Sequence, residues 1–521
     1  MHALRSPVTS KSFQHSRLPA EHFLPYVRLF FNHMFPIMPV IDHTIYLDPS
    51  FYTNSNLWSP DMYCFLCALC AATIVQLDTS IPQPPPLRPN KASDHLFADE
   101  CLRERKLFDF IEHPSTLSVM TSFFFFCYAG NHEKHAKAWH FLQESITFSE
   151  NLNMDDEASY DKLDPVEAQW RRRLYWLLFI TERAYAVQRR KHTRLTPRVQ
   201  LPAVFESEDP TLLNGFVNLA NLFAAVDDNF VRAWRGSRRQ SLCNEAWLAE
   251  TQKQLDAAAL ALENVSETQH LDISVTREWL HVLAWQMGVS NGLIWGKGEG
   301  GMRLDYPIEL AKKVVEITTG ANAQALDSHG IGMVSHVPQS RPWNMLLTHL
   351  QEQKLSDIAG CLADVLRCTA GDTSPTFIEG KQYLNILLQQ LSSMRGKESR
   401  YLKPLMAKME GLVGYELTNQ TLPLPTETTS TAAPTLDGAM PLYTDHLRAT
   451  AGRLSMADSV GMLRTLSMSG TLGMPSLAVS LEDWTQRRPS GRVYDEAETE
   501  ELGVWSFNGA SAGGGGVAQA A

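Results

Sequence analysis

Three cysteines, Cys64, Cys67 and Cys70, follow one another at three-residue intervals, a spacing that is familiar among zinc ligands. The residues between and after them are apolar, whereas a zinc knuckle needs a polar loop that is rich in turn residues. No second cysteine pair and no His-x-His motif follows nearby in the sequence. We therefore expect an apolar helix with buried thiols instead of a metal site.

A second pattern, His132-Glu133-Lys134-His135, resembles the motif of zinc proteases. Its two histidines are three residues apart, one short of the spacing that places both imidazoles behind a zinc ion on one helix face. His140 follows in the same stretch, and Lys134 and Lys137 add positive charge to the proposed site. A solvated helix start is the better interpretation.

Two aspartate pairs, Asp155-Asp156 and Asp227-Asp228, are similar to the magnesium-binding motifs of helical lyases. Neither pair is followed by a third acidic residue at a spacing that would complete a metal cluster, and a Gly-x-Ser-x-Gly motif is also missing. We therefore assign no catalytic, cofactor-binding or metal-ligating residue. The sequence predicts that the chain is not an enzyme.

The densest positive charge lies in a basic cluster that consists of Arg189, Arg190, Lys191 and Arg194. Such a cluster is typical of nuclear-import signals and of patches that contact phosphate groups. It is equally typical of a solvated helix end, where cations interact favourably with the helix dipole. The triplet Arg171-Arg172-Arg173 is expected one helix earlier. Chemistry alone favours the solvated helix end.

Composition limits the classes of protein to which these residues can belong. The chain has 521 residues, of which 44% are hydrophobic and 20% are charged, and its formal net charge is −11. These values are ordinary for a globular protein and argue against a dedicated nucleic-acid binder. Eight cysteines are too few for a disulfide-stapled fold of this length. No apolar run is expected to approach the roughly 18 residues that are needed to span a membrane.

Apolar residues recur at helical spacing between about residues 21 and 417, which predicts an all-α fold with one large multi-helix regulatory domain. Proline-rich stretches at residues 82–89 and 197–202 and the Asp209-Pro210 pair predict breaks between helices. In three segments, residues recur every three or four positions, as they do along one face of a helix. They are Trp139, Leu142, Ile146 and Ser149; Trp170, Leu174, Leu177, Leu178, Thr181 and Tyr185; and Leu355, Ile358, Leu362 and Val365.

Both ends of the chain differ from this helical region in composition. Residues 1–20 are polar, and residues 418–521 are rich in Thr, Pro, Ala, Ser and Gly, so disorder is expected in both. Acidic and bulky apolar residues alternate late in this tail, which is typical of segments that offer aromatic side chains to a partner. This candidate activation segment contains Tyr494, Asp495, Glu496, Leu502, Trp505 and Phe507. An ordinary acidic tail is the alternative.

Several sequence blocks together resemble one protein family. Tyr26 to Val40 combines aromatic residues with prolines, residues 117–126 end in four consecutive phenylalanines, and residues 171–186 read RRRLYWLLFITERAYA. These blocks resemble the middle homology region of fungal binuclear zinc-cluster transcription factors, in particular the branch of sugar-utilisation regulators. The resemblance extends over about residues 18–400. It implies an all-helical regulatory domain in a nuclear protein, which gates activity and assists dimerisation without catalysis.

One departure from the family concerns DNA binding. Members normally begin with a six-cysteine, two-zinc module that places a helix in the DNA major groove. No cysteine precedes Cys64 here. We therefore expect DNA contact only indirectly or through a missing module, and zinc only in that module. Either the gene model starts too late, or the chain acts through dimerisation and contacts with transcription co-regulators.

A second departure is the segment 334–351, which has no counterpart in the family pattern. The codons of Val334-Ser335 can contain the splice donor of an intron, and those of Leu347-Thr348 can contain a branch site. The codon of Gln351 can form the last three nucleotides of the intron. We hypothesise a retained intron, and a real surface insertion is the alternative. Transcript reads that join the codons of Met333 and Glu352 would support the intron. Deep coverage without such reads would exclude it.

The sequence thus predicts a nuclear transcription regulator of fungal type, expected to be an activator. It is expected to control a secondary-metabolite cluster or a carbohydrate-utilisation gene set. The alternative is a helical modulator that does not bind DNA and that dimerises with a full-length homologue. A homodimer and a heterodimer are both compatible with the sequence, and no contact with a membrane is expected.

Overall fold

Helices account for the regular structure of the described part of the chain, as the apolar spacing predicts. The computed structural model describes residues 17–77, 93–205, 208–236, 243–258, 264–294, 300–321, 345–369, 374–392 and 401–409, with only the backbone for 345–351 and 408–409. No strand occurs within these ranges, so the all-α prediction is confirmed for them. The proline-rich residues 82–89 and the predicted tail 418–521 lie outside the described residues, as do residues 1–16.

The α-helices follow one another along the chain with short 3₁₀ turns between some of them. In chain order they are α1 Leu24–His33, α2 His43–Tyr46, α3 Pro49–Thr53, α4 Pro60–Leu77, α5 Asp94–Glu104, α6 Thr116–Asn131, α7 His135–Asn151, α8 Pro165–Arg189, α9 Pro210–Ala224, α10 Asp228–Trp234, α11 Glu245–Ala258, α12 Glu267–Ser290, α13 Tyr306–Gly320, α14 Met345–Cys368, α15 Pro375–Ser392 and α16 Leu402–Met409.

Aspartates determine where several of these helices begin. The side chain of Asp164 accepts a hydrogen bond from the Val166 amide at 2.9 Å, and Asp209 does the same for the Thr211 amide at 3.0 Å. In both cases proline follows at the first helical position, where its missing N–H has no partner to lose. The predicted break at Asp209-Pro210 is therefore confirmed as a helix start. Asp227 likewise caps α10, which gives the second aspartate pair a structural role.

The helices pack in two groups that α8 and α9 connect. In the first group α4 packs against α5 and α6, and α6 packs against α7. In the second group α12 is central and packs against α11, α13 and α14, while α15 lies against α13 and α14. Helix α8 contacts α7 and α9, and α9 contacts α12. Because α14 also reaches α4 and α6, the two groups enclose a shared interior.

Aromatic side chains fill the interior of the first group. Phe23 meets Trp58 and Phe97 with ring centroids 5.5 and 5.3 Å apart, and Phe30 meets Phe124 at 5.7 Å. These pairs adopt the edge-to-face geometry that the aromatic quadrupole favours. The aromatic residues of two distant sequence blocks, 26–40 and 117–126, thus meet in one core.

Helix α4 carries the cysteine run and is one of the most apolar helices of the described region. Cys64, Cys67 and Cys70 are at most 1% exposed, which confirms the prediction of a core helix with buried thiols. The helix has the length and hydropathy of a membrane span, so the expectation that no run would reach that length was wrong. Most of it is buried against neighbouring helices, as in the core of a globular domain.

The buried thiols are expected to resist alkylation in the folded protein. Burial raises the pKa of Cys67, Cys70 and Cys101 well above the ordinary value, and only a thiolate reacts readily. Cys368 is partly exposed, and burial raises its pKa only to about 11. Native iodoacetamide labelling at neutral pH, followed by peptide mass spectrometry, should modify Cys368 at least about a hundredfold faster than the α4 cysteines. Equal rates would contradict the packing of α4.

Candidate functional site

A cavity of about 140 Å³ lies in the interior that the two helix groups share. Its walls come from α6, α8, α9, α12 and α14 and from the segment that follows α1, which contributes Ile37 and Met38. This volume is similar to that of engineered apolar cavities that remain dry and bind benzene. Six aromatic side chains contribute to the wall: Phe123, Phe126, Tyr185, Phe216, Phe223 and Trp279.

Helix α8 forms the longest side of the cavity. Leu177, Ile180, Thr181, Ala184 and Gln188 line it, at the three- and four-residue steps of one helix face. At 1.5 Å per residue, the lining from Leu177 to the end of α8 extends over about 18 Å. The predicted α8 face is therefore confirmed as an inward face, but half of it borders a cavity instead of packed side chains.

A buried ion pair joins two of the cavity walls. The ammonium of Lys354 on α14 donates to the Asp272 carboxylate on α12 at 3.1 Å and to the Thr276 hydroxyl at 2.6 Å. The side chains of Lys354 and Asp272 are 8% and 14% exposed. Sequence reasoning missed this pair because its members are 82 residues apart, and no spacing rule connects them.

The end of α8 forms a polar margin of the cavity. The Arg189 guanidinium lies 3.0 Å from Nε2 of His135, and the Tyr185 hydroxyl donates to the His135 carbonyl at 3.2 Å. Glu133 also lines this margin and has a left-handed backbone, with φ of 56°. Two buried donors beside it, Nε2 of Gln188 and Nε of Arg189, have no hydrogen-bond partner among the described residues.

The predicted basic cluster is divided among several structural contacts. Arg189 borders the cavity, and Arg190 ends α8 in the left-handed region with its guanidinium 5.0 Å from the Trp234 ring centre. Burial lowers the pKa of Arg190. The Lys191 ammonium lies 5.8 Å from the Trp139 ring centre, and Arg194 pairs with Glu150. A role of these four residues in nuclear import stays a prediction, and an import receptor would compete with these contacts.

The arginine triplet lies on α8 itself, so its placement on an earlier helix was wrong. Arg171 is the only member whose pairing resembles a solvated surface, with Glu167 one turn away at 2.7 Å. Arg173 is 0% exposed and pairs with Glu208. The triplet therefore anchors the helix instead of forming an open phosphate patch.

Arg172 provides a contact that depends on pH. It donates to Glu157 at 2.8 Å and lies 4.3 Å from the Tyr160 ring centre. Its hydrogen bond, helped by the Gln200 amide, holds the pKa of Glu157 below the ordinary value. A carboxyl group whose pKa is lowered by folding stabilises the protein above its unfolded pKa, and this stabilisation is lost as the pH falls through the folded pKa.

Replacement of Glu157 with glutamine is expected to lower the free energy of unfolding by about 1 kcal/mol at pH 7, since partial exposure weakens the pair. The difference from the wild type should shrink below about pH 4.5 as the native carboxylate becomes protonated. Urea unfolding at several pH values measures this difference in the free energy of unfolding. Glu167→Gln, beside the more exposed Arg171, is the matched control and should change stability little. An effect of Glu157→Gln that does not vary with pH would contradict this assignment.

Histidines of the protease-like pattern fall in different elements. His132 follows the last residue of α6 and His135 begins α7, so the two do not share a helix face. His132 instead contacts α5, where Nε2 lies 2.6 Å from an Asp94 carboxylate oxygen and the ring stacks on His95 at 4.9 Å. Within the described residues, Asp94, His95 and His132 are a group whose ligand atoms are close enough to hold a metal ion. Sequence reasoning did not connect them, since Asp94 and His95 begin α5 whereas His132 follows the end of α6.

Two sequence predictions concern residues whose structure is not described. The candidate activation segment, Tyr494 to Phe507, lies entirely outside the described residues. The segment 334–351 is described only in part, because the backbone of α14 begins at Met345. Both predictions stay open.

Comparison with known proteins finds relatives of the helical region. Residues 27–266 match the model of the fungal specific transcription factor domain. The chain is 24% identical over 277 residues to the probable sucrose utilization protein SUC1 of Candida albicans, covering 52% of this chain and 54% of that protein. It is also 24% identical over 332 residues to the maltose fermentation regulatory protein MAL13 of Saccharomyces cerevisiae, covering 61% of this chain and 66% of that protein.

A third relative is named for a different process. The respiratory transcription factor ZNF1 of Saccharomyces cerevisiae is 25% identical over 275 residues, covering 52% of this chain and 58% of that protein. The chain thus spans between about half and two thirds of the length of these relatives. The matched region includes most of α1 and all of α2 to α11, and it contains every cavity residue from Ile37 to Phe223. Over residues 27–266 this chain is therefore similar to the fungal specific transcription factors.

Proposed function

We propose that this chain is a transcription regulator whose helical domain binds a small effector in the cavity and transmits its presence to transcription co-regulators. The observation that carries this proposal is the position of the cavity. Most of its wall belongs to the fungal specific transcription factor domain, while α12 and α14 close it from outside the matched residues. An effector between these parts would contact both, and could therefore favour one arrangement of them over another.

Regulation in the nucleus and the absence of catalysis are parts of the same proposal. The names of the relatives, a maltose fermentation regulatory protein and a respiratory transcription factor, support a regulatory role. We infer that DNA is reached indirectly, through a dimer partner or through a module outside this sequence. The controlled genes would form a carbohydrate-utilisation set or a secondary-metabolite cluster, and activation is the expected direction.

A tethering experiment tests this function. The full chain is fused to an unrelated DNA-binding module and expressed with a reporter gene that carries the matching operator. We expect reporter transcription to rise above that of the module alone. Deletion from Thr421 should then reduce the signal, since it removes the candidate activation segment. An unchanged reporter with the full fusion would reject the regulator, and an unchanged signal after the deletion would reject only the activation segment.

A further inference from the structure

The chemistry of the cavity wall restricts the effector that it can hold. Aliphatic and aromatic side chains form most of the lining. Helix α8 contributes two hydroxyl groups to it, those of Thr181 and Tyr185. Apolar ligands gain from leaving water for such a surface, while each buried polar group of a ligand needs a partner of its own. The wall therefore favours a ligand with one continuous apolar surface.

Most polar groups at the cavity already have partners within the protein. Lys354 is paired with Asp272 and Thr276, and the Tyr185 hydroxyl donates to the His135 carbonyl. A disaccharide carries hydroxyl groups on all sides, and most of them would face aromatic rings or aliphatic carbons in this cavity. Burial of those groups without hydrogen bonds opposes binding. A volume of about 140 Å³ also suits one or two fused rings better than two linked sugars.

Two unpaired donors indicate what the polar end of the ligand must supply. Nε2 of Gln188 and Nε of Arg189 are buried beside the cavity without a hydrogen-bond partner among the described residues. Buried donors are almost always paired in folded proteins, so both sites favour an acceptor oxygen. The positive charge of Arg189 would strengthen a hydrogen bond to a carboxylate.

We propose that the cavity binds a small aromatic carboxylate of one or two fused rings, with the rings between the aromatic side chains and the carboxylate at Gln188 and Arg189. This inference rests on the proposed effector function and names the chemical class of the effector. It departs from what the sugar-related names of two relatives suggest. Among the predicted gene sets, it favours a secondary-metabolite cluster over the utilisation of a free sugar.

Equilibrium dialysis of the purified full chain with 1-naphthoate, maltose and sucrose tests the proposal. We expect saturable binding of about one naphthoate per chain and no saturable binding of either sugar. Ala184→Phe, which places a ring in the cavity, should weaken naphthoate binding at least tenfold. Ala257→Phe on the exposed face of α11 is the matched control and should leave binding unchanged. Circular dichroism checks the fold of each variant, and Leu219→Phe replaces Ala184→Phe if the latter does not fold.

A second variant tests the contribution of the ligand's carboxylate to binding. Arg189→Met should weaken the binding of 1-naphthoate at least tenfold and leave that of uncharged naphthalene within twofold. Naphthoate binding that survives Ala184→Phe, or no naphthoate binding at all, overturns the proposal. Maltose binding that Ala184→Phe abolishes would overturn the aromatic class while supporting an effector cavity. Because binding is measured without transcription, a silent tethered reporter would reject the proposed function separately.

Discussion

Replacement of Arg173 with alanine is expected to lower the free energy of unfolding by about 3–5 kcal/mol, because it leaves the Glu208 carboxylate without its buried partner. Arg173 is 0% exposed, and the Glu208 side chain is 9% exposed. One guanidinium nitrogen donates to Glu208 at 2.9 Å, and the Arg173 group also lies 4.7 Å from the Trp170 ring centre and 4.6 Å from that of Phe205. Alanine removes all of these contacts at once.

Urea unfolding followed by circular dichroism measures this loss, and α8 itself provides the control. Arg171→Ala removes the pair with Glu167, whose side chain is 43% exposed, and should cost less than about 1 kcal/mol. The double variant Arg173→Met with Glu208→Met should recover part of the lost stability, since it leaves no buried charge. Similar losses for Arg171→Ala and Arg173→Ala would contradict the buried pair.

The second large effect is expected at Trp279. Replacement of this residue with alanine should lower the free energy of unfolding by about 3–5 kcal/mol, as is typical for a large buried aromatic side chain. Trp279 is 1% exposed, and its indole N–H donates to the Asp357 carboxylate at 2.9 Å. The residue therefore holds α12 against α14 and also forms part of the cavity wall.

Trp279→Phe is the matched variant, because it keeps an aromatic ring and loses the hydrogen bond. We expect a smaller loss for it, about 1–2 kcal/mol. Addition of indole should partly restore the thermal stability of Trp279→Ala, since indole can occupy the enlarged cavity. A loss below about 1 kcal/mol for Trp279→Ala would show that α12 and α14 do not depend on this contact.

Helices could be predicted from the sequence because their signals are local. The apolar faces of α7, α8 and α14 repeat within a few residues, and the break at Asp209-Pro210 combines a capping side chain with a fixed backbone angle. The cysteine run could be assigned to the core for a similar reason. Its neighbours along the chain are apolar, so the local composition already determines the environment of the thiols.

The interactions of the candidate site could not be predicted because they are not local. Arg173 and Glu208 are 35 residues apart, and Lys354 and Asp272 are 82 residues apart. A run of arginines shows how much charge a segment carries, but not which partner each side chain finds after folding. The cavity is harder still to foresee, because it depends on how completely five helices fill the space between them.

The cavity also has a mechanical consequence. The cavity of about 140 Å³ is space that the side chains of the folded chain leave unfilled, and the volume decrease on unfolding scales with such internal space. Hydrostatic pressure favours the state of smaller volume, and the void disappears when the chain unfolds. Pressure should therefore destabilise the folded chain, and a bound molecule that fills the cavity should make the chain less compressible.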